Sequence, residues 1–525
     1  MKFKFSSIKS FVIKNWLIIL IIILSSFLRL YRIADYMTFL GDEGRDALVV
    51  YNILHGKLTL LGPTASVGGF FLGPIYYYFM AVFTLLFNYS PVGPSVMVAL
   101  FGIATVYLVY KVTNDFFGEK AGIIASLLYA SSPLVIAYSR SSWNPNPLPF
   151  FSLLTLYFLY KAVLSNKKKL FIFCGFLLGI AIQLHYLTVF LGVIVTLYVL
   201  FSNLFFIKNK LFSLYKTLNQ YFFLLIGFLV GWLPFLAFEF RHGFANIISI
   251  FNFVFHSGGT GGNIDFLKTI QDVLFRLFAR LVLTFPPPEQ ISSIDKSLIS
   301  FWETSVVILV VVSIATLLYK LWKSFKKGKE EFLKYFLLFT WLFFGVILFG
   351  FYKKSIYDYY FGFMFPLPFI LSALTVTFLS KKIPRGTFFA GILTVIIFLV
   401  NIRGLPFRYE PNRQLDQVRR ISEFVYEKTE GRPFNFALIT GGNSDHAYRY
   451  FFTVWGHSPV TIDEPNKDPE RKTVTDQLLV VCESLPCKPL GDSLWEVAGF
   501  GRAEMAGEWD VSVVKVFKLE HYKDK

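Results

Sequence analysis

Charge is scarce in this chain, at 16% of 525 residues, and negative charge is scarcer, with 34 Asp and Glu against 51 Lys and Arg. With 55% of residues hydrophobic, that leaves too little polar surface to clothe the core of an ordinary soluble protein. The formal charge of +17 is not spread as a basic stripe with interleaved aromatics, so nucleic acid is excluded as a partner. Only 3 cysteines occur: Cys174 lies in an apolar run, and no zinc-type ligand spacing is present. No internal repeat stands out, and no stretch between the apolar runs is long enough to fold a nucleotide-binding domain. A nucleotide-sugar enzyme is excluded on that ground.

What is abundant is apolar and aromatic. The chain carries 63 Phe and 19% aromatics, with a mean hydropathy of +0.55. The N-terminal "MKFKFSSIKSFVIKNWLIILIIILSSFLRL" has a basic flank and an apolar centre without a small-residue cleavage site, which reads as an uncleaved first helix. Further runs near the ~20 residues needed to span lie at 93–111, 121–138, 147–163, 170–187, 189–207, 219–238, 300–320, 334–352, 359–380 and 386–402. The expected fold is an all-α polytopic membrane protein of about eleven transmembrane helices, residues 1–402, with interfacial helices on its outer face.

The lysines set the orientation. If the apolar segment 71–89 does not cross, Lys111, Lys120, Lys161, Lys167 to Lys169, Lys208, Lys210, Lys216, Lys320 to Lys329 and Lys381 to Arg385 all fall on the cytoplasmic side. The N-terminus is then cytoplasmic, and residues 403–525 face outwards from the plasma membrane. That C-terminal part has the composition of a small soluble α/β domain. Helices are expected in "NRQLDQVRRISEFVYEKTEG" and, capped by Ser444, in "SDHAYRYFFTVWG". Strands are expected in "FNFALITGG", "DQLLVVCE" and "WDVSVVKVFKLE". Cys482 and Cys487 either close a small disulfide loop or remain free thiols.

On this topology, acidic and other polar groups gather at the outer membrane boundary. "GDEGRDALVVYNILHGKL" begins with Asp42 and Glu43, and reads as an amphipathic helix. "YSRSSWNPNPLPFF" brings Arg140 and Asn144, "AIQLHYLTVF" brings Gln183 and His185, "FEFRHGFANI" brings Arg241 and His242, and "YKKSIYDYYFG" brings Lys353 and Lys354. Basic and aromatic residues are ordinary interface anchors. Two adjacent acids are not, although one of them could serve as a helix cap.

The first loop, from "DEGRDALVVYNILHGKL" to "FFLGPIYYYFMAVFTLLF", together with "YSRSSWNPNPLPFF" and "GIAIQLHYLTVFLG", resembles the GT-C class of membrane glycosyltransferases. The branch is that of the protein O-mannosyltransferases, the lipid A aminoarabinose transferase and their bacterial relatives. The resemblance implies transfer of a sugar from a polyprenyl-phosphate donor to a lipid, glycan or protein acceptor on the outer face. By position it makes Asp42 the general base and Glu43 its neighbour, with Arg140, Arg241 and His242 at the lipid phosphate. The lipid A branch binds a metal through an acid late in the first loop; here that stretch reads "SVGGFFLGP", so no metal or other cofactor is indicated. The alternative is a transporter or flippase of lipid-linked sugars, which would place charges or broken helices near the bilayer midplane.

Overall fold

The computed structural model describes residues 5–261 and 265–523; the lysines at positions 2 and 4 of the expected N-terminal flank lie outside these. The chain opens with α1 (Phe5–Leu30), whose length of about 39 Å exceeds the ~30 Å hydrocarbon layer. It is followed by α2 (Gly41–Leu54) and α3 (Ile75–Leu86), then α4 (Val92–Phe117), α5 (Glu119–Ser131) and α6 (Pro133–Tyr138). Next come α7 (Leu148–Ser165), α8 (Lys168–Leu184), α9 (Val189–Phe206), α10 (Lys210–Gly231), α11 (Leu233–Arg241) and α12 (Ala245–Phe255). The membrane part closes with α13 (Phe266–Ala279), α14 (Lys296–Ser324), α15 (Lys329–Ile347), α16 (Pro366–Ser380) and α17 (Gly386–Arg403).

Among the described residues, seven helices are long and apolar enough to cross a membrane, or up to nine if two bent pairs each count as one span. The pairs are α10 with α11, bent by 74°, and Asp358–Met364 with α16, bent by 61°. This is fewer than the eleven spans expected, for local reasons. The run at 121–138 is broken where Ser132, held extended ahead of Pro133, separates α5 from α6. The run at 170–187 stops at Leu184 because His185 is extended (φ −160°, ψ 135°), leaving α8 with 17 residues. The segment at 71–89 forms α3, whose 12 residues rise about 18 Å and fall well short of a crossing.

Small residues let helices α8 and α10 meet backbone to backbone. A Cβ at Gly175 would stand 1.9 Å from Leu224 O, and one at Gly227 would stand 1.8 Å from Ile172 O. Gly179 and Gly231 repeat the arrangement four residues on, the pattern by which helices approach closely where lipid offers no hydrophobic drive.

The C-terminal part is a four-stranded sheet with helices packed on it. Its elements are α18 (Gln414–Lys428), β1 (Asn435–Ile439), α19 (His446–Val454), β2 (Gln477–Cys482), β3 (Ala503–Val511) and β4 (Val514–His521). The strand order is β1-β2-β4-β3, with β1 parallel to β2 and the other pairs antiparallel. Strand β2 is buried along its whole length, which is why it reads as an unbroken "QLLVVC". "WDVSVVKVFKLE" is not one strand but a hairpin that turns at Ser512, in the left-handed region (φ 56°). Cys482 and Cys487 are bonded to one another.

This sheet domain does not own its whole core. Met37, Phe39 and Ala47, from the first loop and α2, are buried in one cluster with Val418, Phe436, Phe451 and Val481. Gly41 and Gly44 permit the contact: a Cβ at Gly44 would stand 2.3 Å from the Ala447 backbone nitrogen.

Candidate active site

Helix α2 begins at the acidic pair, and its first turn separates their duties. Thr38 Oγ1 donates to Glu43 Oε1 (2.6 Å) and the Leu40 N–H donates to Glu43 Oε2 (3.1 Å). Glu43 is therefore the residue that reaches back to cap the helix. Asp42 has no part in the cap. Its side chain is 59% exposed and takes one hydrogen bond, from Arg45 Nη1 to Oδ1 (2.8 Å).

One turn further on, Asp46 is fully buried. Its Oδ1 accepts from Arg45 Nε (3.0 Å), Arg45 Nη2 (2.8 Å) and the Tyr77 hydroxyl (3.1 Å). Oδ2 is buried with no partner among the described residues. Burial pushes this carboxyl up to about 6, against the opposing pull of Arg45. Arg45 thus forks between a buried anchor and the exposed Asp42. The spacing of Asp42 and Asp46 by four residues, which puts both on one helix face, was the available signal for Asp46.

Asp42 and Glu43 line a cavity of about 1030 Å³ between the start of α2, the segment around Trp143, and the C-terminal sheet domain. The far wall carries Thr440, Asn443, Tyr448 and Glu483. Asn443 Oδ1 ties the two walls together by accepting from the Gly41 N–H (2.9 Å) and the Ser444 N–H (2.9 Å). Ser444 does not cap α19 as expected: its hydroxyl pairs with His446 Nδ1 (2.7 Å), and the helix begins at His446.

A second cavity, of about 1110 Å³, lies on the other side of α6, and Ala137 lines both. Its walls are apolar side chains of α14, α16 and α17, and it follows α17 from Gly386 to Arg403, about 27 Å of helix rise. Arg403 and Arg408 line it at the C-terminal end of α17, and the Arg408 guanidinium donates to Arg403 O (3.3 Å). Arg280 lines it too, near the same end, where neighbouring Thr284 donates to Asn401 Oδ1 (2.7 Å). Neither Arg280 nor Arg403 stood out as a phosphate ligand in the sequence. Arg280 directly follows α13, where it pairs with Asp358 (3.0 Å), and Arg403 reads as a helix end.

The remaining expected site residues are not gathered at either cavity. Arg140 is buried: it donates to Leu28 O (2.9 Å) and Tyr31 O (2.7 Å), and its guanidinium lies 4.8 Å from the Phe407 ring centre. These contacts satisfy the orphan carbonyls at the end of α1. Asn144 Nδ2 donates to Leu184 O (2.6 Å), and Gln183 Nε2 donates to Gly231 O (2.7 Å), so both bond to helix ends. His185 Nδ1 accepts from the Leu187 N–H (3.3 Å), and its ring lies among Tyr186, Tyr359 and Tyr360. Arg241 and His242 are exposed at the end of α11, with His242 stacked on Phe238. Lys353 and Lys354 are exposed, and the Lys353 N–H bonds to Gly259 O (2.9 Å). Among the described residues, no group of three or more His, Cys, Asp and Glu is placed to hold a metal ion.

The arrangement of helices has solved counterparts. ArnT from Cupriavidus metallidurans bound to undecaprenyl phosphate superposes over 96% of this chain and 98% of its own, with a TM-score of 0.59 at 13% identity. Its apo form gives 0.58 over 98% of each chain at 12% identity. The chain shares the fold of these two ArnT structures. The archaeal oligosaccharyltransferase AglB from Archaeoglobus fulgidus shares the architecture less closely, with a TM-score of 0.51 at 14% identity over 89% of this chain and 70% of that one. Residues 72–232 match the family described as dolichyl-phosphate-mannose-protein mannosyltransferase. In sequence, the chain is 29% identical over 161 residues to YycA of Bacillus subtilis, and 28% identical over 147 residues to YkcB of the same organism. Both carry provisional names as mannosyltransferases. The matches cover 30% and 28% of this chain but only 23% and 20% of those curated relatives.

Proposed function

We propose that this protein is an integral-membrane glycosyltransferase that moves a sugar from a polyprenyl-phosphate donor to a hydroxyl acceptor, with Asp42 as general base. The observation that carries this reading is the pair of cavities sharing α6, one apolar and edged with arginine, the other lined by carboxylates. The groove along α17 matches a ~30 Å hydrocarbon thickness and suits a polyprenyl tail. Arg403 and Arg408 supply guanidinium groups for the phosphate that departs, and Arg280, held by Asp358, adds positive charge beside them. They take the role that the sequence reading gave to Arg140 and Arg241. Across α6, an acceptor hydroxyl must lose its proton as the new glycosidic bond forms; the exposure of the Asp42 carboxylate in the cavity supports its taking that proton. Glu43 holds the turn that aims Asp42.

In this reading the eleven apolar runs all cross, α5 with α6 and α8 being the short ones. The N-terminus is cytoplasmic, and the sheet domain lies outside, where the Cys482–Cys487 bond is at home. The two bent spans favour a second reading, a transporter of lipid-linked sugars, because broken helices are a transporter feature.

One experiment separates the two readings. The purified protein in lipid is given a panel of polyprenyl-phosphate sugars, and release of polyprenyl phosphate is measured. Turnover supports transfer; movement of intact donor across vesicles without cleavage supports transport.

A further inference from the structure

We propose that the wall formed by Thr440, Asn443, Tyr448 and Glu483 is an acceptor-recognition subsite for a hydroxyl-rich ring without acidic substituents. The proposal deepens the glycosyltransferase reading and rests on it.

Glu483 stands directly after β2, and Cys482, the residue before it, anchors the short disulfide loop. Its carboxylate is a hub. Oε1 accepts from the Tyr448 hydroxyl (2.8 Å) and Asn443 Nδ2 (3.1 Å), and Oε2 accepts from Thr440 Oγ1 (2.8 Å) and again from Asn443 Nδ2 (3.2 Å). Each hydroxyl has one hydrogen to give, and Tyr448 and Thr440 give theirs to Glu483. Their oxygens are left as acceptors, the role in which the cavity can use them.

Across the cavity, Asp42 and Glu43 are also acceptors. Among the described residues, no lysine, arginine or histidine lines the cavity, and Arg45 reaches it only through its bond to Asp42 Oδ1. Trp143 and Tyr138 add aromatic surface on which a sugar ring can lie. A cavity with three carboxylates, oriented hydroxyl oxygens and no lining cation selects a ligand that donates hydrogen bonds and carries no negative charge. A polyol or an amino sugar meets that description. A uronic acid or a phosphorylated sugar would place an anion against Asp42, Glu43 and Glu483. The arginines that suit an anion line the other cavity, across α6.

The test uses the full-length protein in lipid nanodiscs, without donor, and three ring-matched probes: methyl glucoside, methyl glucosaminide and methyl glucuronide. Binding is read by saturation-transfer NMR titration. The neutral and amino probes are expected to bind, with the glucuronide weaker by about tenfold or more, the size of one charge-assisted contact. Glu483→Gln and Tyr448→Phe should each weaken the neutral probe and narrow its margin over the glucuronide. Equal binding of glucuronide and glucoside by the wild-type protein, or binding of none of the three, overturns the subsite whatever the variants do. Cleavage of donor in the same preparation reports separately on the parent reading. Donor turnover without probe discrimination sinks the subsite alone, and no donor turnover sinks the transferase.

Discussion

The two cavities on either side of α6 are similar in size and opposite in chemistry. Among the described residues, the one beneath the sheet domain collects Asp42, Glu43 and Glu483 with no lining cation, whereas the one along α17 collects Arg280, Arg403 and Arg408 with no lining acid. Opposite charges this near would ordinarily pair. Here they are kept apart by a six-residue helix that begins at a proline. Pairing happens within each side instead: Arg280 Nε donates to Asp358 Oδ2 (3.0 Å), and Asp42 accepts from Arg45 (2.8 Å).

The sharpest way to break this comparison is at Asp42. Asp42→Asn keeps shape and hydrogen bonding but cannot take a proton, so turnover should fall by ~10²–10⁴-fold while donor binding holds. Near wild-type transfer by this variant would reduce Asp42 to a surface residue at a helix start.

The arginine side is probed by donor affinity. Arg403→Ala and Arg408→Ala should each cost about 1.5–3 kcal/mol, one to two decades, with Lys restoring only part because it lacks the fork. Arg140→Ala is the contrast. It should lower the thermal midpoint by unpairing the carbonyls of Leu28 and Tyr31, yet leave the donor affinity of the folded protein unchanged. If Arg140→Ala weakens donor and Arg403→Ala does not, the phosphate sits where the sequence reading put it.

A third test removes the wall between sheet domain and membrane part. Gly44→Ala drives a methyl into the backbone of α19, an overpacking expected to cost on the order of 1–3 kcal/mol. Limited proteolysis should then cut between α17 and α18 sooner than in the wild type. Unchanged cleavage would mean the docking absorbs the extra methyl.

The smallest effect is in pH. The Asp46 carboxyl lies near 6 in the folded protein, above its ordinary 3.8, so the folded state holds the extra proton between those values. Its contribution to stability is fully present below about 3.8 and lost as pH rises through about 6. Between pH 5 and 7 that amounts to about 1 kcal/mol, favouring the lower pH. Protonation also loosens Arg45, which leaves Asp42 more tightly paired, so activity should decline below pH ~6 even as stability improves. Asp46→Asn should flatten the stability dependence; a wild-type thermal midpoint indifferent to pH 5–7 would rule out the buried titration.

Much of this architecture was legible in apolar run lengths. The helix beginning near Asp42 and the strands β1 and β2 follow from local pattern, whereas the expectation that 71–89 does not cross came from the distribution of lysines along the whole chain. The break at Pro133 was written in the sequence but outweighed by the apolar run around it. Harder to read were residues whose meaning depends on distant partners. Arg140 looks like a phosphate ligand until its guanidinium is seen against carbonyls more than 100 residues earlier. Glu483 reads as an ordinary strand-end acid until Tyr448, Asn443 and Thr440 are found pointing at it. Local periodicity carries no information about such pairings, because they are set by how helices and sheet pack.

The bond from the Gly41 N–H to Asn443 joins residues 402 positions apart. At a synthesis rate of ~5–20 residues per second, α2 leaves the ribosome on the order of 20–80 s before the helix it docks against. During that interval Met37, Phe39 and Ala47 have no sheet to cover them. Every membrane helix between them must insert before the last domain can close over the first loop. A nascent chain stalled or truncated before α19 would therefore present this patch to chaperones and proteases, making closure of the sheet domain over the first loop the final checkpoint of biogenesis.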